Sequence, residues 1–292
     1  MYILNVSDNK YIKLYFLLLL MNITFVTCWY NMKSKFDKNT YKIWMSNFLS
    51  NVNNFNLVIY TNKDSYELIE SIVDNTNSKI KVLIKEYEEF KTWGKQNNWI
   101  RNHENNNTLN QNSRWNTDWK LNMLWSEKIN FVKCVKDNKI FETEWYGWCD
   151  IGYFRGGNNL LPQEIRNWPN KNKMNELNKE NIYYGLPGSR NQLNELSRII
   201  LSKNANNMPI NPIPVQQVSI AGGFFISHCK NVDWWHKTYY NRLDDYFKYQ
   251  YLIKDDQIII IDCIINNLKK FNLIEEKVPS KDRWFVFQSY LL

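Results

Sequence analysis

Carboxylates stand next to apolar segments at two places in this chain, which makes them candidates for contact with a ligand. Asp150, in the sequence DIG, ends the aromatic segment EWYGWC. Asp255 and Asp256, followed by Gln257, open the apolar segment IIIIDCII. A hard cation such as Mg²⁺ takes few protein carboxylates and completes its shell with phosphate oxygens and water. A carboxylate at the end of a strand can therefore hold a metal–diphosphate, and one of the later acids is predicted to face a site.

Each of these features also has an ordinary structural explanation, and the sequence alone leaves both readings open. An Asp shortly before a Gly is a common turn signal, and Asp150 stands two residues before Gly152. Acids favour helix N-termini, so capping accounts for one of Asp255 and Asp256. Two acids followed by Gln exceed what a cap needs. Similarly, Gly222-Gly223 inside the apolar AGGFFIS indicates close approach by a ligand or another backbone, or else a bulge.

These residues need elements to position them, and strand-like runs alternate with helical patterns along the chain. Strands are predicted over 23–28, 56–61, 79–85, 144–150, 215–227 and 283–287. Helices are predicted from apolar residues three and four apart over 41–52, 64–73, 117–135, 231–250 and 255–268. Thr117 is expected to cap one helix, and Ser189 with Gln192 forms a capping box for another.

Alternating strands and helices predict the α/β class, with a mostly parallel central sheet and helices on both faces. In such sheets ligands bind beyond the carboxyl ends of the strands, and Asp150 stands at such an end. Residues 86–116 are polar and Asn-rich, too long for a simple connector. We interpret them as a binding loop or a disordered insertion.

Length and composition favour one large domain after an N-terminal appendage. The 292 residues are 44% hydrophobic and 16% aromatic, which is typical of a well-filled globular core. The apolar run from Leu14 to Met21 is shorter than the roughly 20 residues that span a bilayer. We therefore interpret residues 1–20 as an appendage and residues 21–292 as a single domain.

Charge and cysteine content bear on partners and location. The net charge of +8 comes from scattered residues without a run of five basic ones, so no nucleic-acid partner is predicted. A basic crevice for a polyphosphate and a peripheral attraction to anionic membrane fit this charge equally well. The five cysteines include no CxxC pair, which favours a reducing, cytoplasmic location.

The sequence signatures of P-loop NTPases, dinucleotide oxidoreductases, zincins and α/β-hydrolases are absent. In the order of its motifs the chain resembles the HtrL/YibB family of glycosyltransferases. The resemblance rests on TFVTCWYN, NLVIYTNKD, WNTDWKLNMLWSEKINFV, EWYGWCDIGYFR, AGGFFIS and DDQ, and spans roughly residues 21–290. It is most specific over 115–155. The wider resemblance is to GT-A nucleotide-sugar transferases, so it implies a GT-A-like domain, a nucleotide-sugar donor and a glycan or lipid-linked glycan acceptor.

The resemblance also implies a donor-binding role for each matching position. Thr27 and Tyr30, after the first strand, would line the nucleotide pocket. Lys120 would approach the donor. Gly222 and Gly223 would let the donor sugar approach the backbone.

The remaining matches imply a metal ligand and a catalytic segment. Asp150 would stand at the first Asp of the usual DxD motif and hold Mn²⁺ or Mg²⁺, although Gly152 replaces the second Asp. Asp255, Asp256 and Gln257 would lie near the reacting sugar. Within this segment we predict Asp256 to be the carboxylate of the site and Asp255 mainly the helix cap.

The chemistry agrees with this layout, and other function classes stay open. A departing diphosphate needs positive charge from a metal ion, Lys or Arg, and an inverting transferase needs a base, for which Asp255 or Asp256 is eligible. The first alternative is a catalytically degenerate nucleotide-sugar or carbohydrate-binding protein of the same fold. A metal-dependent nuclease is disfavoured because basic residues do not cluster.

Overall fold

The computed structural model describes residues 23–156 and 164–292 of the chain. These residues form an α/β fold around one seven-stranded sheet. The predicted appendage, residues 1–20, lies outside the described residues.

The sheet is mostly parallel, as the sequence predicts. In chain order the strands are β1 (Ile23–Cys28), β2 (Asn56–Thr61), β3 (Ile80–Ile84), β4 (Trp145–Cys149), β5 (Ile182–Gly185), β6 (Ala221–His228) and β7 (Phe271–Ile274). Across the sheet they run β3-β2-β1-β4-β6-β5-β7. Among the described strands only β6 is reversed, pairing antiparallel with β4 and β5.

Helices connect most of these strands. In chain order they are α1 (Lys38–Leu49), α2 (Lys63–Glu70), α3 (Gln96–Glu104), α4 (Lys120–Asp137), α5 (Lys171–Asn175), α6 (Arg190–Leu201), α7 (Cys229–Lys248), α8 (Asp256–Asn266) and α9 (Val286–Tyr290). Within residues 23–156 and 164–292, none of them combines the length and the apolar character needed to cross a membrane.

Two hydrophobic cores lie on opposite faces of the sheet. Neighbouring residues of a strand point to opposite faces, so Val26 and Val58 join one core while Phe25 and Leu57 join the other. Residues of α4, α7 and α8 fill the first core, and residues of α1 and α9 fill the second. The central strands are therefore buried on both faces, as predicted for a sheet with helices on both sides.

The predicted late strand over 283–287 is wrong. Arg283–Phe285 forms a 3₁₀ turn, and the following residues begin α9, with Val286 and Phe287 buried. The edge beside β5 is occupied instead by Phe271–Ile274, in parallel register. A short run with four apolar residues fits a strand or a buried helical turn equally well, so tertiary packing decides between them.

Two further predictions need correction. The strand predicted over 215–227 begins only at Ala221. Residues 86–116 are folded around 3₁₀ turns and α3, and Trp99 is fully buried, its indole Nε1 donating to Thr92 Oγ1 at 3.1 Å. The segment is therefore folded and not a disordered insertion, while its predicted role in binding stays a prediction.

The helix starts are partly as predicted. The capping box of Ser189 and Gln192 is confirmed, since each side chain bonds the other's backbone N–H. The cap predicted at Thr117 is wrong, because its hydroxyl donates to a backbone carbonyl of the preceding loop. The N-cap position of α4 is Trp119, which makes no side-chain capping bond, and the Lys120 N–H donates to Asp118 Oδ1 at 2.8 Å.

Candidate functional site

The carboxyl ends of β1 and β4 open into a cleft at one edge of the sheet. Asp150 directly follows β4, and its N–H donates to the carbonyl of Gly223 at 2.8 Å. Because β6 runs antiparallel to β4, with Phe224 opposite Cys149, it begins at this same edge. Asp150 and the paired glycines therefore meet, although they are far apart in sequence.

A buried lysine, Lys128 of α4, joins the two acidic segments. Its Nζ lies 3.2 Å from Asp150 Oδ1 and 3.1 Å from Asp256 Oδ2, and it donates to the Gly222 carbonyl at 2.9 Å. Lys128 is 6% exposed and Asp256 is 3% exposed, so their ion pair is shielded from solvent. One ammonium group thus fixes both carboxylates and the start of β6 relative to one another.

Burial and charge oppose each other in this cluster. Burial lowers the pKa of Lys128, but the carboxylates of Asp150 and Asp256 outweigh it, so the pKa is raised above its usual value and Lys128 is a cation at neutral pH. Burial also raises the pKa of Asp256 to about 6, with Lys128 opposing the rise and Asp255 and Asp150 adding to it. Asp256 therefore titrates close to neutral pH, where a carboxylate serves well as a proton acceptor.

The paired glycines leave room for the carboxylates. A Cβ on Gly222 would lie 3.1 Å from Asp256 Oδ1, and a Cβ on Gly223 would lie 3.0 Å from Asp150 Oδ2. Both glycines also line the cleft. Close approach by a donor sugar stays a prediction, whereas the contacts seen here explain the glycines by side-chain packing.

The start of α8 presents polar atoms to the cleft that no described residue uses. Asp255 Oδ1 and Gln257 Oε1 are buried without a hydrogen-bond partner among the described residues, and both side chains line the cleft. Asp255 occupies the N-cap position, but its side chain makes no capping hydrogen bond, and its Oδ2 lies 3.0 Å from Lys254 Nζ. The predicted side-chain cap at Asp255 is therefore wrong, and its carboxylate is available to a ligand.

The cleft consists of two adjoining cavities that share the walls formed by Lys128, Asp150 and Arg155. The smaller cavity, of about 80 Å³, lies at the end of β1 and includes Tyr30. The larger cavity, of about 370 Å³, contains the Asp255–Gln257 segment. Its aromatic wall consists of Phe36, Tyr41, Trp115, Trp125, Tyr153, Trp284 and Phe285.

Two of the predicted donor-binding residues do not line these cavities. Thr27 is fully buried in β1, and its hydroxyl has no hydrogen-bond partner in the part of the chain that the structure describes. Lys120 Nζ lies 5.6 Å from the ring centre of Tyr87 and pairs with the carboxylate two residues before it. Their donor roles stay predictions, but the cation placed beside Asp150 is Lys128.

The sequence does carry a signal for Lys128. It lies within the apolar stripe of α4, four residues before Val132 and three after Trp125, where a solvated lysine is not expected. The apolar members of this stripe are Leu121, Leu124, Trp125, Val132 and Val135. A lone cation on the buried face of a helix indicates a buried anionic partner, because an unpaired buried charge is strongly unfavourable.

The contacts of Asp150 fit the predicted Mn²⁺ or Mg²⁺ site poorly. Asp150 Oδ1 already accepts from Trp148 Nε1 at 2.6 Å and faces Lys128. A Cβ at position 152, where a second carboxylate would stand, would lie 2.7 Å from Trp44 Cε3. Asp150 therefore has one carboxylate oxygen left to bind a metal ion, and position 152 provides no second carboxylate for that ion.

The chain matches no protein-family model and no curated protein. A functional assignment therefore depends on the geometry and chemistry of the cleft.

Proposed function

We propose that this chain is a glycosyltransferase of the GT-A fold. It moves a sugar from a nucleotide-diphosphate donor, with a uridine nucleotide as the first candidate, to a hydroxyl of a glycan or lipid-linked glycan. The observation that carries the proposal is the Lys128 cluster, which assembles Asp150, Asp256 and Gly222 at the ligand-binding edge of an open α/β sheet. The strand order, with only β6 reversed among the described strands, and the order of the motifs support the same proposal.

The donor is proposed to lie across the junction of the two cavities. The nucleoside is placed toward the end of β1, where Tyr30 forms part of the wall. The sugar and acceptor are placed in the larger cavity, where aromatic rings suit the apolar faces of sugars and the Asp255–Gln257 segment offers acceptor atoms for hydroxyl groups. The diphosphate then falls at the shared wall of Lys128, Asp150 and Arg155.

In the proposed reaction, the bond between the anomeric carbon and the diphosphate oxygen breaks, and its electron pair leaves with the diphosphate. An acceptor hydroxyl oxygen forms the new bond to that carbon and gives up its proton. If the reaction inverts the anomeric carbon, the proton passes to a carboxylate, and Asp256 is the first candidate, because a pKa of about 6 leaves it ionised at neutral pH. Asp255, with its unpartnered Oδ1, is the second candidate.

A degenerate binding protein of the same fold is the second candidate function. It is favoured by the contact of Gly152 with Trp44, which removes the space for a second metal-binding carboxylate. It is also favoured by Lys128, which already neutralises part of the acidic charge in the cleft. Such a protein would bind the nucleotide sugar without turning it over.

Thermal shift with UDP, GDP and CMP, each with and without Mn²⁺, tests for the donor site. We expect at least one nucleoside diphosphate to raise the melting temperature. Hydrolysis of the matching nucleotide sugar then separates an enzyme from a binding protein, and single-stranded DNA serves as the nuclease substrate. Stabilisation by none of the nucleotides, or cleavage of DNA alone, would overturn the proposal.

A further inference from the structure

We propose that Arg155 and Lys35 hold the donor's diphosphate directly, in the place that a divalent metal ion takes in metal-dependent transferases. The inference rests on the proposed function, which supplies a diphosphate, and it identifies the groups that neutralise it. It starts from three observations: the poor fit of Asp150 to a metal site, the packing at Gly152, and two cations in the cleft wall that have no acidic partner among the described residues.

Arg155 is held in the wall by aromatic rings. Its guanidinium carbon lies 4.3 Å from the ring centre of Trp44 and 5.2 Å from those of Phe36 and Phe285. Its Nε donates to the Gly152 carbonyl at 2.7 Å, which ties the side chain to the turn after Asp150. Arg155 lines both cavities, and within residues 23–156 and 164–292 its Nη groups donate to no acceptor, so we assign these donors to the ligand. A planar guanidinium is well suited to phosphate oxygens, which it can bind in pairs.

Lys35 provides a second cation on the same cavity wall. Its Nζ lies 4.8 Å from the ring centre of Trp125, and no described carboxylate forms an ion pair with it. Burial lowers the pKa of Lys35, with Asp255 opposing that effect. A partly buried ammonium without an acidic partner is stabilised when an anion enters the cavity, which favours binding of a diphosphate.

Lys128 cannot take this role as readily as the other two cations. Its ammonium is committed to Asp150, Asp256 and a backbone carbonyl. Trp44 has two contacts that matter here: its ring fills the space beside Gly152 and stacks on Arg155. The ring that excludes a second metal-binding carboxylate therefore also positions the cation that replaces the metal.

Isothermal titration of the protein with inorganic pyrophosphate and with UDP, in EDTA and in Mn²⁺, tests the inference. We expect the wild-type Kd for each ligand to differ by about threefold or less between the two conditions. Arg155→Gln is expected to weaken both ligands by about tenfold or more, because charge-assisted hydrogen bonds to the phosphates are lost. Lys35→Gln is expected to weaken both in the same direction.

Arg114→Gln is the matched control. Arg114 is exposed, stacks on Trp115 at 4.4 Å and does not line either cavity. Its loss removes one charge and one stacked guanidinium, and we expect it to change Kd by about twofold or less. Arg155→Lys retains the charge without the planar fork, so it tests the role of Arg155 if the Gln variant folds poorly.

The outcomes separate this inference from the proposed function. Pyrophosphate and UDP binding that disappears in EDTA, or that survives both Arg155→Gln and Lys35→Gln unchanged, would overturn the inference. Nucleotide-sugar turnover that requires Mn²⁺ would overturn it while retaining the transferase. Binding through Arg155 without turnover of any nucleotide sugar would support the inference about Arg155 and contradict the proposed transferase activity.

Discussion

Replacing Lys128 by Met is expected to destabilise the fold strongly and in a pH-dependent manner. Met occupies a similar volume and keeps the apolar contacts of α4 but removes the ammonium. Asp256 would then be a carboxylate only 3% exposed, without its cation, and Gly222 would lose a donor at 2.9 Å. Breaking a buried ion pair from one side typically costs about 3–5 kcal/mol, and we expect a loss of this size in the free energy of unfolding at pH 8.

The pH dependence follows from the titration of Asp256. Its folded pKa is already raised to about 6, mainly by burial, and Lys128 opposes that rise. Without Lys128 the folded pKa moves higher. An acid with a raised folded pKa contributes stability below its unfolded pKa and loses it as the pH rises through the folded pKa. The cost of Lys128→Met should therefore be smaller at pH 5 than at pH 8.

Urea denaturation at pH 8 and pH 5 measures both effects, with Lys133→Met as the matched control. Lys133 lies on the same helix and also pairs with two carboxylates, those of Asp137 and Asp233, but at the surface. Exposed pairs contribute about 1 kcal/mol or less. The double variant Lys128→Met/Asp256→Asn should recover much of the loss, since no buried charge is left unpaired. Equal costs for Lys128→Met and Lys133→Met, or a cost independent of pH, would refute the buried-cluster reasoning.

Three further predictions concern the same cleft. Gly152→Ala should cost about 1–3 kcal/mol of stability, because its Cβ would lie 2.7 Å from Trp44 Cε3. Urea denaturation should show a smaller cost when Trp44 is also replaced by Leu. The same cost in both backgrounds would contradict this packing. In wild type, the contribution of Asp256 to the free energy of unfolding should fall by about 3 kcal/mol as the pH rises from about 4 to about 6. Urea denaturation of Asp256→Asn over the same pH range should lack this fall. Asp256→Asn should slow donor turnover by about 100-fold. Asp255→Asn should leave helix stability nearly unchanged, since the Asp255 side chain makes no capping hydrogen bond. Turnover and melting temperature measured for both variants test these statements, and near-normal turnover in Asp256→Asn would show that Asp256 is not the base.

The sequence by itself determined the class of the fold and the ends of its first two strands. The strands over 23–28 and 56–61 have the predicted bounds, because continuous β-branched and aromatic runs are typical of strands buried on both faces. Asp150 is predicted to end a strand because it breaks such a run. The Asp255–Gln257 segment is predicted for a related reason, because its acids directly precede the strongly apolar IIIIDCII.

Only the tertiary structure decided which side chains meet. Several lysines lie along α4, and the docking of that helix brings Lys128, and not Lys120, beside Asp150 and Asp256. The identity of the last strand was also decided by packing, since FNLI and RWFVF are both short, mostly apolar runs and β5 has one open edge for them. The local pattern of apolar residues indicates which face of a helix or strand is buried. Contacts between side chains more than 100 residues apart depend on how the helices and strands pack against one another.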